Sequence, residues 1–145
     1  MAEYRFTILI DAPPAHVFDL WTDLDRIPDW IEGVTRVSDT TGPADRSGTR
    51  YTVWFGRMAS RTEVLEADPP HRIRTRFGNA LLKGETTATF EPDGDRTRLV
   101  QVFRTHGLIS GAMARIFATG SYRGSFRGEL ETFRRIAEQE GRTPP

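Results

Sequence analysis

The sequence has no cysteine. That excludes disulfides, thiolate nucleophiles and cysteine-based zinc or iron–sulfur sites. Histidine is scarce as well: His16, His71 and His106 are the only three, and no two have metal-ligand spacing. No metal and no other cofactor is therefore expected. Net charge is missing too, with 20 basic residues against 20 acidic ones. A balanced chain offers no electrostatic case for a nucleic-acid or anionic-membrane partner. Long apolar runs are absent, and Met1 to Ile10 alternates polar with apolar residues. No signal peptide or membrane-inserted helix is visible, so a cytoplasmic protein is the default expectation. No Ser-His-Asp order, carboxylate dyad or glycine-rich phosphate loop appears.

What is present fits one domain over residues 1–145. A chain of this length typically buries roughly 68–70% of its unfolded surface, enough for one core without staples. Lysine occurs once among the basic residues, at Lys83, which reads as arginine codon usage.

The order of elements follows from periodicity. Tyr4–Ile10 alternates with period two and reads as a strand. Asp11-Ala12-Pro13-Pro14 ends it, with Asp11 as a helix cap and a proline suited to the first turn. Val17, Leu20, Trp21 and Leu24 share one face of a short helix, and a second helical turn fits around Asp23–Ile27. Strands are predicted at Val34–Asp39, Arg50–Phe55, Ser60–Ala67, Arg72–Phe77, Leu82–Glu91 and Arg98–Thr105. Turn formers such as Gly56, Asp68-Pro69-Pro70 and Pro92-Asp93-Gly94-Asp95 separate them. Such spacing indicates one antiparallel meander. Leu108 to Glu140 carries apolar residues at helical spacing and reads as a long C-terminal helix, interrupted or closely packed at Gly120, Gly124 and Gly128.

An antiparallel sheet with one apolar face needs a cover, and the long helix is the element large enough to supply it. The expected fold is therefore α+β: seven antiparallel strands wrapped around a C-terminal helix, with two short helices between strands 1 and 2. Where a curved sheet and a straight helix fail to touch, a gap is left. Large side chains fill it, or it is a ligand cavity.

Several stretches add a resemblance. They are Ile8-x-Ile10-Asp11-Ala12-Pro13, Val17-Phe18, Asp23-Leu24 and Pro28-x-Trp30, then Val64-x-Glu66 leading into Asp68-Pro69-Pro70-His71-Arg72-Ile73, then Thr97-x-Leu99. Their order over essentially the whole chain resembles the START-like, or SRPBCC, superfamily, in its bacterial polyketide cyclase/dehydrase-like branch. The resemblance implies a helix-grip fold with a deep apolar pocket, and places Trp30 near the entrance. Activities in that superfamily range from aromatase/cyclases to lipid carriers, so the fold alone assigns no chemistry.

Strand alternation sorts the side chains. Ile73, Thr75 and Phe77 point inward, with Arg72, Arg74 and Arg76 outward as a solvated face. Thr86, Ala88 and Phe90 point inward with Leu82 and Gly84, as do Leu99, Gln101, Phe103 and Thr105, and Tyr51, Val53 and Phe55. Trp54 is left outward or at the rim. Ser60–Ala67 is ambiguous: Thr62, Val64 and Glu66 compete with Arg61, Glu63 and Leu65, and either set misplaces a residue. The expected ligand-binding set is Trp30, Tyr51, Val53, Phe55, Thr75, Phe77, Thr86, Ala88, Gln101 and Phe103, with Met113 and Phe117 from the helix. An apolar lining with sparse polar groups suits a hydrophobic small molecule of polyketide, lipid or aromatic type. Catalysis would need a proton donor and acceptor, for which Tyr51, His106 and Arg61 are the candidates. The enzyme question stays open between a binding protein and a cyclase/aromatase or dehydratase. A filled core serving as a protein-interaction module is the alternative. Either a monomer or a homodimer is compatible with the sequence.

Overall fold

A computed structural model describes residues 2–31, 33–78, 83–106 and 121–141. Strand β1 (Ala2–Ile10) leads into helix α1 (Pro14–Trp21), a 3-10 turn (Leu24–Arg26) and helix α2 (Ile27–Trp30). Six strands follow: β2 (Arg36–Ser38), β3 (Arg50–Phe55), β4 (Met58–Asp68), β5 (Arg72–Gly78), β6 (Lys83–Asp93) and β7 (Arg96–His106). Helix α3 (Ser121–Gly141) ends the described chain. The seven strands form one antiparallel sheet in the order β1-β7-β6-β5-β4-β3-β2. This is the expected helix-grip meander, in which β1 pairs with the last strand. The start of the predicted C-terminal helix at Leu108, together with Met113, Phe117 and Gly120, lies outside the described residues.

The turns form where backbone sterics require them. Gly56 and Gly94 adopt φ of 64° and 63° at the tips of the β3–β4 and β6–β7 hairpins, a region in which side chains with a Cβ are strained. Helix α1 starts differently from expectation. Its N-cap is Pro13, with Pro14 as first helical residue, and the Asp11 backbone N–H instead donates to Glu138 Oε2 at 2.8 Å.

Cross-strand register fixes the inner face. Tyr4, Phe103, Thr86, Thr75 and Val64 form one row across β1, β7, β6, β5 and β4. Thr105, Gly84, Phe77, Thr62 and Tyr51 form the next. The ambiguity in β4 is settled by a bulge: the register with β5 shifts between Val64 and Glu66. One extra residue reverses the alternation. Thr62 and Val64 therefore point inward before it and Ala67 after it, while Glu66 pairs outward with Arg74. Of the two competing sets, Thr62 and Val64 hold and Glu66 does not, while Arg61 and Glu63 of the rival set point outward.

The core lies at one end of the inner face, under α1, α2 and α3. Phe18 meets Phe90 at 5.2 Å between ring centroids, and Phe133 meets Trp21 and Trp30 at 5.2 and 4.9 Å. Edge-to-face contacts of this kind add about 0.5–1.5 kcal/mol each beyond area burial. Polar clamps hold the C-terminal helix end. Arg26 donates to both oxygens of Glu140, at 3.1 and 2.7 Å, and to Asp29 at 2.6 Å. His16 is half-buried with Nε2 3.0 Å from the Ala137 carbonyl oxygen. Thr97 Oγ1 donates to the Ala12 carbonyl at 2.7 Å in the buried interior. Gly128 is exposed, and a Cβ there would meet nothing within 4 Å. At that position the glycine is not explained by a close approach to the sheet.

The outer face is charged in register. Arg50, Glu63, Arg76, Glu85, Arg104 and Glu3 alternate in sign along a single row. Arg76–Glu63 at 2.8 Å and Arg104–Glu3 at 3.2 Å close as ion pairs. Arg72 and Arg74 both reach Glu66 at 3.2 Å. The three arginines of β5 therefore make a solvated, paired surface, as expected. Among the described residues, no helix is long and apolar enough to cross a membrane.

Candidate ligand site on the inner face

The inner face has a closed half and an open half. In the closed half, Ile10, Leu99, Phe90 and Ala88 are essentially inaccessible beneath the aromatic cluster. Towards β3 the cover thins. Tyr51, Val53, Thr75, Phe77 and Thr86 all point inward by register yet are only half-buried. Phe55 is 36% exposed, and its cross-strand partner Met58 53%. Burying an apolar side chain fully would contribute about 1.5–3 kcal/mol. Inward apolar residues left accessible therefore mark a surface built for something other than self-packing.

The local chemistry is sparse and directional. Phe77 stacks against Phe103, 5.1 Å between centroids and 17° from parallel. It occupies the room left by Gly84: a Cβ on that glycine would lie 2.5 Å from Phe77 Cζ and 2.4 Å from the Arg104 carbonyl oxygen. The space that Gly84 offers is thus taken by an aromatic ring and is not a void. Around this floor stand the hydroxyls of Thr62, Thr75, Thr86 and Tyr51. Although the Tyr51 side chain is partly accessible, the desolvation of its phenol by surrounding protein pushes it up to about 12, because the phenolate would lose hydration. Tyr51 is therefore a proton donor at neutral pH. Among the described residues, the titratable side chains on the sheet's inner face are the phenols of Tyr4 and Tyr51.

The sequence-derived candidates separate in space. Tyr51, Val53, Phe55, Thr75, Phe77 and Thr86 come together on the open half. Ala88, Gln101 and Phe103 share the same face but are buried, at 1%, 7% and 6% exposure, and form its back wall. Trp30 closes α2 inside the aromatic cluster, against Trp21 at 5.0 Å. Its indole Nε1 is buried, with no hydrogen-bond partner among the described residues. Met113 and Phe117 lie outside the described residues. Arg61 and His106 point the other way. Arg61 registers with Thr52 and Gly78, and His106 with Lys83, on the outer face, where both are exposed. Alternation gives the inner positions to Thr62 and Thr105 instead, so neither Arg61 nor His106 is placed to serve an inner pocket. Trp54 is also outward. Its Nε1 donates to Ser38 Oγ at 2.8 Å, and the Arg36 guanidinium lies 4.3 Å from the ring centroid. Sequence reading missed Met58 at the edge of the open half, for which the Phe55-Gly56-Arg57-Met58 hairpin was the signal, and left the buried Thr62 undecided between the two faces of its strand.

A family model described as polyketide cyclase / dehydrase and lipid transport matches residues 1–138. Solved structures share the fold. Protein MLL2253 from Mesorhizobium loti is 16% identical, covers 95% of this chain and 98% of its own, and superposes with a TM-score of 0.75. TTHA0849 from Thermus thermophilus is 22% identical over 94% of this chain and 97% of its own, with a TM-score of 0.69. DynU16, a putative protein in the dynemicin biosynthetic locus, is 20% identical with a TM-score of 0.69; the match covers 96% of this chain and 48% of that one. No curated protein matches.

Proposed function

The chain belongs to the polyketide cyclase/dehydrase and lipid transport family, and on that premise we propose that it binds a hydrophobic small molecule on the open half of the inner face. The observation that carries this reading is the accessibility of Tyr51, Val53, Phe55, Thr75, Phe77 and Thr86, which all point inward. The apolar groups supply affinity, and the hydroxyls of Thr75, Thr86 and Tyr51 orient one polar edge of the ligand. A polyketide, lipid or aromatic compound has that character. The described inner face of the sheet offers a proton donor in Tyr51 and no carboxylate or imidazole to act as base. Binding, with Tyr51 donating a hydrogen bond to a ligand carbonyl, accounts for it without a chemical step.

The test is a titration with Nile red, a neutral apolar dye. Saturable binding with a blue shift is expected, together with a concentration-dependent rise in melting temperature. Thr86→Trp fills the open half and weakens binding at least tenfold. Thr87→Trp, whose side chain points outward, leaves it unchanged. No saturable binding, or equal loss in both variants, overturns the proposal.

A further inference from the structure

A second concavity, of about 880 Å³, is lined mainly by outer-face residues, on the opposite side of the sheet from the hydrophobic site. It follows one register row across five strands: Thr52, Arg61, Gly78, Lys83 and His106. Arg50, Glu63 and Arg76 of the alternating-charge row form one wall. The row between these two, Tyr51, Thr62 and Phe77, also borders the concavity, with side chains inward by register. The volume falls in the range of roughly 300–1,000 Å³ usual for small-molecule sites.

Its charge is uneven although the chain as a whole is neutral. The lining holds four permanent cations (Arg50, Arg61, Arg76 and Lys83) against two carboxylates, Asp39 and Glu63. Both carboxylates are engaged: Glu63 accepts from Arg76 at 2.8 Å, and Asp39 from the Ser38 hydroxyl at 2.9 Å. Arg50, Arg61 and Lys83 make no ion pair among the described residues. Elsewhere on this face, arginines 72, 74, 98 and 104 are paired, while Arg5, Arg36 and Arg96 make no ion pair among the described residues. Three cations without an ion pair, Arg50, Arg61 and Lys83, thus line one concave stretch of the surface.

Geometry narrows the ligand. Gly78 registers between Arg61 and Lys83 and puts no side chain between them. Neighbouring strands are about 4.8 Å apart, so the two backbones stand roughly 9.6 Å apart across an empty slot. Two long cationic side chains can converge over that slot from opposite sides. Arg61 offers a planar fork and Lys83 a point charge, a pairing suited to two linked anionic groups rather than one. His106 extends the row beyond Lys83. We propose that this groove binds a small molecule carrying a diphosphate, with Arg61 and Lys83 holding the two phosphoryl groups.

Calorimetric titration of the full chain with inorganic pyrophosphate, ADP and orthophosphate, at ionic strength held constant with sodium chloride, tests it. Pyrophosphate or ADP is expected to bind at least fivefold more tightly than orthophosphate. Tighter binding of ADP than of pyrophosphate identifies an ester as the ligand; equal binding identifies the free diphosphate group. The R61Q/K83Q variant loses at least tenfold, and R98Q, on the same face outside the groove, changes less than twofold. Both replaced side chains are exposed, so an unchanged melting temperature verifies folding. Absence of saturable binding, no preference over orthophosphate, or equal loss in R98Q overturns the proposal. So does competition by poly-glutamate as effective as that of pyrophosphate.

Discussion

Replacing Gly84 by alanine puts a methyl group into space that is already occupied. The new Cβ lies 2.4 Å from the Arg104 carbonyl oxygen and 2.5 and 3.0 Å from two Phe77 ring carbons. The ring can swing away, but the carbonyl belongs to β7, the central partner of both β6 and β1, so strand spacing must change. Overpacking of this kind costs about 1–3 kcal/mol. Moving Phe77 also gives up its stack on Phe103, worth about 0.5–1.5 kcal/mol. The expected loss is roughly 2–4 kcal/mol, a large part of the ~5–15 kcal/mol that holds a domain together. At about 2–4 °C per kcal/mol, the melting temperature falls on the order of 5–15 °C. Urea unfolding monitored by circular dichroism measures it. A G84A variant within about 0.5 kcal/mol of the parent would refute the claim that Phe77 fills the glycine's place, and with it the described floor of the site.

Three further outcomes follow from other parts of the fold. Arg26 holds the Glu140 carboxyl below its ordinary range, so the pair stabilises the folded state above the unfolded carboxylate value near ~4.3 and this is lost as pH falls. Both partners are substantially exposed, and E140Q should cost about 0.5–1 kcal/mol at pH 7 and progressively less as pH falls below the unfolded carboxylate value, as read by urea unfolding. Tyr51, pushed up to about 12 by burial, should titrate at 295 nm above the ordinary phenol value of about 10. Its raised value means a stability contribution present at neutral pH and lost as pH climbs from about 10 towards 12, and Y51F should flatten that alkaline loss. At Gly128 a Cβ meets open space, so G128A should raise stability by about 0.5–1 kcal/mol; a loss would show that the position packs against something.

The strands were legible because alternation and turn residues agree along them. Arg50–Phe55 is found with its predicted bounds, and the inward sets of β3, β5, β6 and β7 follow the two-residue period. The limits of that reading are physical. The bulge after Val64 depends on how β4 meets β5, which no local pattern encodes. Gly84 reads only as an inward position, because nothing local says that Phe77, on a different strand, lies over it. Arg61 and His106 suit an inner pocket by their chemistry alone; the register, which the sequence does not state, puts both outside. Trp30 belongs at an entrance by resemblance, and the structure encloses it between Trp21 and Phe133. Of the site, the apolar composition was readable, while the division into closed and open halves required the helix positions.

The most direct measurement uses the threonine and valine methyls as position markers. With 2-naphthol at saturating concentration, intermolecular nuclear Overhauser effects are expected to the methyls of Val53, Thr75 and Thr86, which point inward. None is expected to Thr87 or Thr89, which register with Val102 and Val100 on the outer face. Contacts confined to the outer methyls, or no contact with the inner three, would contradict a ligand site on the open half of the inner face.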